Sequence, residues 1–226
     1  MPGPLDLSGH VVLVTGGARG VGRGIATSFL EAGASVVICG RHEPESPPAG
    51  GGRTATFVSA DVRDAEQVDA LLDAVVERFG RLDVAVNNAG GSPPADSATA
   101  PARFSTSIVS LNLLAAYGAA KAGLINLTET LAVEWGPKVR VNLVTAGMVR
   151  TEQSHLWYGG EEGIAAVGRT VPAGRIAEPG DIGDACVLLA TPLARYVSGA
   201  NLAVHGGGER PAFLTASQGD INQVKG

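Results

Sequence analysis

The sequence predicts an α/β fold with a doubly wound parallel sheet. Three observations carry this reading: short apolar runs alternate with helix-spaced segments, glycines cluster where those runs end, and the chain is long and apolar enough for one core. Its 226 residues are 45% apolar and 17% charged, so a single globular domain over residues 1–226 is expected. Its 32 glycines fall mainly where a strand must turn sharply into a helix.

Taken in order, residues 10–15 (HVVLVT) read as a buried strand, 21–32 as a helix, 35–39 as a second strand and 56–59 as a third. Residues 64–79 place Val68, Leu71, Leu72, Val75 and Val76 at helical spacing behind an Asp64 cap, and 82–86 form the fourth strand. Residues 140–145 and 201–204 read as two later strands, with a helix over 181–189. This alternation implies right-handed crossovers in a parallel sheet. By composition, residues 43–53 and 91–101 are flexible loops, and the tail 215–226 frays.

A net charge of −5 argues against nucleic acid as a partner, and the apolar runs are too short to span a membrane. The opening MPGPLDLSGH lacks the character of a secretion signal, so a cytoplasmic protein is expected. Cys39 and Cys186 lie in apolar runs and read as small buried hydrophobes. His10, His42, His155 and His205 have no ligand spacing, and no metal site is expected.

The first strand runs into Thr15-Gly16-Gly17-Ala18-Arg19-Gly20-Val21-Gly22, with a helix following at once. Gly16 suits the tight turn, Gly20 lets backbone approach a pyrophosphate, and Gly22 allows close helix-on-strand packing. A glycine-rich loop is a weak signal alone, since a purely structural turn gives the same pattern. The spacing TGxxxGxG, followed by Asp61-Val62 after the third strand and Asn87-Asn88-Ala89-Gly90 after the fourth, resembles the short-chain dehydrogenase/reductase family over residues 8–208. The resemblance implies a Rossmann-type sheet of seven strands and hydride exchange between a nicotinamide cofactor and a carbonyl or alcohol. It also implies cofactor contacts at Gly16, Arg19, Gly20, Val21, Gly22, Asp61, Val62, Asn88, Ala89 and Gly90.

Cofactor choice follows from charge. NAD-selective sites place a carboxylate at the end of the second strand, whereas NADP needs a cation there. Here Gly40 and Arg41 stand at that point, and Arg19 lies in the glycine turn, so two guanidinium groups can meet a 2′-phosphate. NADP is expected, with NAD as the alternative; two solvated arginines are the bland reading.

Tyr117 and Lys121 form a YxxxK pair whose members share one face of a helix. A cation ~5 Å away contributes ~3 kcal/mol toward the phenolate at an effective dielectric of ~20. Alone, this spacing is usually a surface pair; in the family resembled, it is the proton-transfer pair. The resemblance makes Tyr117 the general acid/base, has Lys121 also hold the nicotinamide ribose, and has Asn112 position a relay water. Residues 145–151 resemble the nicotinamide loop, with Ala146 where proline is usual, so that Gly147, Val149 and Thr151 are expected cofactor contacts. A mobile lid over 152–173 follows, in which Trp157 and Tyr158 either line a pocket or anchor the loop. The family also pairs the helices around 102–135 between subunits, implying a dimer or tetramer.

One departure is large. The family places a whole strand, bearing a catalytic serine, between the helix asparagine and the tyrosine; here only Leu113, Leu114, Ala115 and Ala116 intervene. One outcome is a helix over 102–135, continuous at ~50 Å or kinked at Gly118. The other recruits residues 107–114 (SIVSLNLL) as a replacement strand, with Ser110 near the cofactor. The first is favoured, and Ser105, twelve residues before Tyr117, is read as accidental. Neighbouring strands lie ~4.8 Å apart while catalytic groups must sit within ~0.5 Å, so closing the sheet would displace Tyr117. Loss of the serine alone resembles loss of an oxyanion donor, roughly 10² to 10³ in rate. The competing reading is a catalytically inactive nucleotide-binding or scaffold protein.

Overall fold

The computed structural model describes residues 3–90 and 115–208, with side chains in the second segment described from residue 118. The expectations for residues 91–101, 102–114 and 215–226, Asn112 included, fall outside the described residues. In order the elements are β1 (Val11–Thr15), α1 (Gly20–Glu31), β2 (Ser35–Gly40), β3 (Ala49–Gly50), β4 (Arg53–Thr54) and β5 (Thr56–Ser59). There follow α2 (Ala65–Phe79), β6 (Val84–Val86), α3 (Ala115–Trp135), β7 (Leu143–Ala146), α4 (Ser154–Tyr158), α5 (Glu161–Gly168), α6 (Pro179–Ala190), a 3₁₀ turn (Pro192–Ala194) and β8 (Asn201–Val204).

β1 is apolar at every position because it is covered on both faces. Val12 and Val14 pack with Ile25, Phe29 and Leu30 of α1 and Ile182 and Val187 of α6, whereas Val11 and Leu13 pack with Leu71 and Val75 of α2. This two-residue alternation puts helices on opposite faces of the sheet, which is the doubly wound arrangement. α2 begins where Asp64 accepts from the amides of Glu66 and Gln67 at 3.1 and 3.4 Å, and ends at Gly80 with φ of 74°.

The order β5-β2-β1-β6 is parallel throughout, with Val12 opposite both Val36 and Val84. β7 and β8 form a separate parallel pair in which Val144 faces Leu202. Among the described residues no strand bridges β6 and β7, and the segment 91–114 between them falls outside the described residues.

α1 and α6 connect the two sheet fragments. A Cβ on Gly24 would lie 2.3 Å from Cβ of Pro179, and one on Gly183 would lie 2.4 Å from Oγ of Ser28, so the helices meet almost backbone to backbone. The Ser28 hydroxyl donates to Asp184 at 3.0 Å. Val144, Val204 and Cys186 join the α1 side of the core, tying β7 and β8 to it through α6. Burial pushes the Cys186 thiol up to about 11, consistent with a cysteine that packs rather than reacts.

The latter part of residues 43–53 corrects the flexible-loop expectation, while 43–48 have no regular structure. β3 and β4 form a hairpin against α1, where a Cβ on Gly50 would come within 2.8 Å of Glu31 and 3.0 Å of the Thr27 carbonyl. The glycines read as flexibility instead allow close approach. The segment 152–173 holds α4 and α5, with Ile164 and Val171 clustering with Ile176 and Tyr158 packed on the cluster. Tyr158 is thus an anchor, while Trp157 remains exposed.

Gly24→Ala drives a methyl into the backbone of Pro179 and is expected to destabilise the chain by about 1–3 kcal/mol. A lowered urea midpoint with unchanged slope checks this; an unchanged midpoint contradicts it.

Candidate functional site

The site grows from the carboxyl end of β1. The Thr15 hydroxyl donates to the Val86 carbonyl at 3.3 Å and accepts from the amides of Asn88 and Ala89 at 3.0 and 2.9 Å. The Asn88 side-chain amide donates back to the Thr15 carbonyl at 2.9 Å. One hydroxyl therefore joins the ends of β1 and β6 and satisfies two amides that leave the ladder at that point.

Gly16 turns the chain with φ of 66°, its amide donating to the Cys39 carbonyl at 2.9 Å. A Cβ there would lie 3.1 Å from Cα of Ala89, which shows how closely the two loops meet. Gly22 was expected to permit helix-on-strand packing. The limiting neighbours are more specific: its Cβ would fall 2.4 Å from both the Gly16 carbonyl oxygen and Nδ2 of Asn88. Gly17, which sequence reasoning passed over, is equally constrained, with Ile38 at 2.4 Å.

Helix α1 opens without a cap of its own. Arg19, at the N-cap, makes no side-chain cap bond, and the first turn has no acidic residue. The Gly20 amide instead donates to the carboxylate of Glu152, with Oε1 and Oε2 at 3.2 and 3.1 Å. Thr151 lies beside it, its Cγ2 being 3.5 Å from where a Gly20 Cβ would stand. Sequence reasoning missed Glu152 because its position 132 residues along the chain carries no local signal.

The loop carrying Thr151 is held at several points. Gly147 donates to the Val204 carbonyl at 3.0 Å, Arg150 to Ala177 at 2.7 Å, Ala177 to Met148 at 2.8 Å, and the Thr151 amide to the Ser154 hydroxyl at 2.8 Å. A Cβ on Gly147 would lie 2.8 Å from Cα of His205. Val149 packs on the core. Of these, Thr151 is brought to the start of α1 beside Gly20, while Gly147 lies against His205.

Beyond β5, Asp61 accepts from the Arg63 amide at 3.1 Å and from its guanidinium at 2.9 and 3.1 Å. Those bonds, with a further contribution from the Arg41 charge, hold its carboxyl well below the usual carboxylate range. The Arg41 contribution places that side chain in electrostatic reach of Asp61, next to half-exposed Val62; Arg19 and Arg41 are both exposed. Tyr117 lies in the first turn of α3, with Lys121 one turn later and exposed. Among the described residues no cluster suits a metal ion. A cavity of about 510 Å³ lined by Asp6, Ser28, Glu31, Arg53 and Asp184 lies toward the opposite end of α1, away from the glycine turn.

Comparison with known proteins follows the same elements. Residues 10–116 match the family model described as short chain dehydrogenase, and residues 103–209 match one described as Enoyl-(Acyl carrier protein) reductase. The D-threitol dehydrogenase of Mycolicibacterium smegmatis is 32% identical, with 89% of this chain and 93% of that protein aligned. The L-fucose dehydrogenase of Oryctolagus cuniculus is 34% identical, with 89% and 86% aligned. The ligand-free aldohexose dehydrogenase of Thermoplasma acidophilum superposes with a TM-score of 0.77 at 25% identity, covering 91% of this chain and 96% of that one. The alignment with the threitol enzyme runs over 243 residues while using only 89% of a 226-residue chain, so that relative carries residues this chain lacks.

Thr15→Val removes the hydroxyl without changing the shape and leaves the Asn88 and Ala89 amides without their acceptor. A loss of about 1–3 kcal/mol is expected in urea unfolding, together with weaker nucleotide binding by calorimetry. Wild-type values in both measurements would show that the hydroxyl does not hold the two loops.

Proposed function

The chain belongs to the short-chain dehydrogenase/reductase family, and from that premise we propose that it exchanges hydride between NADP(H) and a small carbonyl or alcohol substrate. The supporting observation is the convergence of the Thr15–Gly22 turn, the Asn88–Ala89 loop and Thr151 on the amino end of α1. That end already attracts a carboxylate, and the positions around it have no room for additional side-chain atoms. These features fit a dinucleotide whose diphosphate rests on the helix terminus.

In this reading Gly16, Gly20, Val21 and Gly22 offer backbone to the diphosphate. Asp61 and Val62 flank the adenine, Asn88, Ala89 and Gly90 border the adjoining ribose, and Gly147, Val149 and Thr151 meet the carboxamide. Arg19 and Arg41 favour NADP over NAD, because β2 ends in Gly40 with no carboxylate to receive a ribose hydroxyl. When bound, the nicotinamide supplies or accepts the hydride. Tyr117 moves the proton at the substrate oxygen, Lys121 stabilises the phenolate charge and holds the ribose, and Asn112 orients a relay water. Relatives named as threitol, fucose and aldohexose dehydrogenases place polyols and aldoses first among substrates to try.

Residues 1–226 act as one domain in this reading, with 152–173 as a lid over the substrate. No helix among the described residues is long and apolar enough to cross a membrane, and the acidic charge balance fits a cytoplasmic protein without nucleic-acid partners.

NADPH oxidation over a panel led by aldoses and ketoses is the direct test. Tyr117→Phe is expected to lower kcat at least about 10²-fold, and Arg41→Ala to shift the NADP-to-NAD preference about tenfold, or ~1.4 kcal/mol. NADPH bound without turnover, and unaffected by Tyr117→Phe, would instead support a nucleotide-binding protein.

Assembly into a dimer or tetramer through α3 is part of this reading. The helix has no single apolar face, and Leu124, Leu127, Trp135 and, at 82%, Val133 are exposed, which is costly unless another surface covers them. Light scattering is expected to give at least twice the chain mass, and Val133→Glu to reduce it; a monomeric wild type overturns the assembly.

A further inference from the structure

We propose that Glu152 is an internal competitor for the cofactor diphosphate, occupying the amino end of α1 until the dinucleotide displaces it. This rests on the dinucleotide-site reading above and adds a regulatory element to it. Three observations combine. α1 has no cap of its own, so its first amides need an acceptor from elsewhere. The Glu152 carboxylate supplies one, with both oxygens within 3.2 Å of the Gly20 nitrogen. Gly20 is also a residue of the turn to which the diphosphate is assigned, so the carboxylate and the diphosphate call on one set of donors.

Two anions cannot share that terminus. A diphosphate seated there would meet a carboxylate at hydrogen-bond range from the same amide, and their repulsion adds to their competition for the donor. Glu152 is exposed, so it can leave without breaking a core. Its backbone neighbours cannot move as freely. Arg150 is bonded to the Ala177 carbonyl, and the Thr151 amide to the Ser154 hydroxyl. Displacement must therefore swing the Glu152 side chain, or move the chain from Glu152 onward, where α4 and the lid begin. Cofactor entry and release of the first lid residue become one event. An empty site keeps Glu152 on α1, whereas a filled site frees it.

The test is calorimetric titration of the full-length chain and of its E152Q and E152A variants with NADP⁺, with inorganic pyrophosphate and with adenosine. Both variants are expected to bind NADP⁺ about three- to tenfold more tightly than wild type. Pyrophosphate affinity should rise in parallel, while adenosine, which has no diphosphate, should bind all three alike. E152Q keeps the side chain's size and a neutral acceptor, so the inference stands on that variant even if E152A folds poorly. Equal or weaker NADP⁺ binding by E152Q overturns the inference while leaving the dinucleotide site intact. If neither wild type nor E152Q binds NADP⁺ or NAD⁺, the site assignment itself fails, and this inference with it.

Discussion

Close packing of α1 on α6 is the constraint on which the rest of the structure depends. The described strands form two fragments with no hydrogen-bonded ladder between them, and helix contact takes over what strand pairing would otherwise do. That contact is short-range because Gly24 faces Pro179 and Gly183 faces Ser28, with space at neither glycine for a methyl group. Dispersion falls steeply with separation, so helices meeting at backbone distance couple more firmly than helices spaced by side chains. Through α6, the loop carrying Gly147–Thr151 is held in register with the glycine turn on β1.

Polar connections complete what the packing begins. Thr15 ties the ends of β1 and β6 through one hydroxyl, and the Asn88 side chain returns to the turn. The result is a rim built from three separate chain segments around the start of one helix. On that rim the Gly16 amide donates to Cys39, those of Asn88 and Ala89 to Thr15 and that of Thr151 to Ser154, whereas the Gly20 amide is turned to an anion. That amide explains why a carboxylate of the chain itself comes to lie there. A helix terminus with free donors attracts the nearest anion, whether or not that anion is the ligand.

Two parts of the described structure are less fully covered than the rest. β6 and β7 each keep a partner on one side only among the described residues, and α3 has a surface more apolar than its surroundings cover. The ends of β1 and β6 and the loop after β7 are held together by α1 and α6.

Much of this was legible in the residues themselves. Continuous apolar runs such as VVLVT can be stable only when covered on both faces, so the parallel core follows from composition alone. Asp64 and Gly80 mark the ends of α2 by local chemistry, and the order of TGxxxGxG, Asp61-Val62 and Asn87-Asn88-Ala89-Gly90 marks the short-chain dehydrogenase/reductase family. The short spacing between Asn112 and Tyr117 was likewise legible as a departure from the family pattern, while residues 91–114 fall outside the described residues. What tertiary structure alone decided are contacts between residues remote in sequence: Glu152 on Gly20, Thr15 as acceptor for Asn88 and Ala89, Gly17 under Ile38, and the glycine hairpin lying on α1 rather than waving as a loop. Local sequence determines where the backbone bends and which face is apolar. Which donor meets which acceptor across 132 residues depends on the angle at which two helices pack, and that angle is a property of the assembled core.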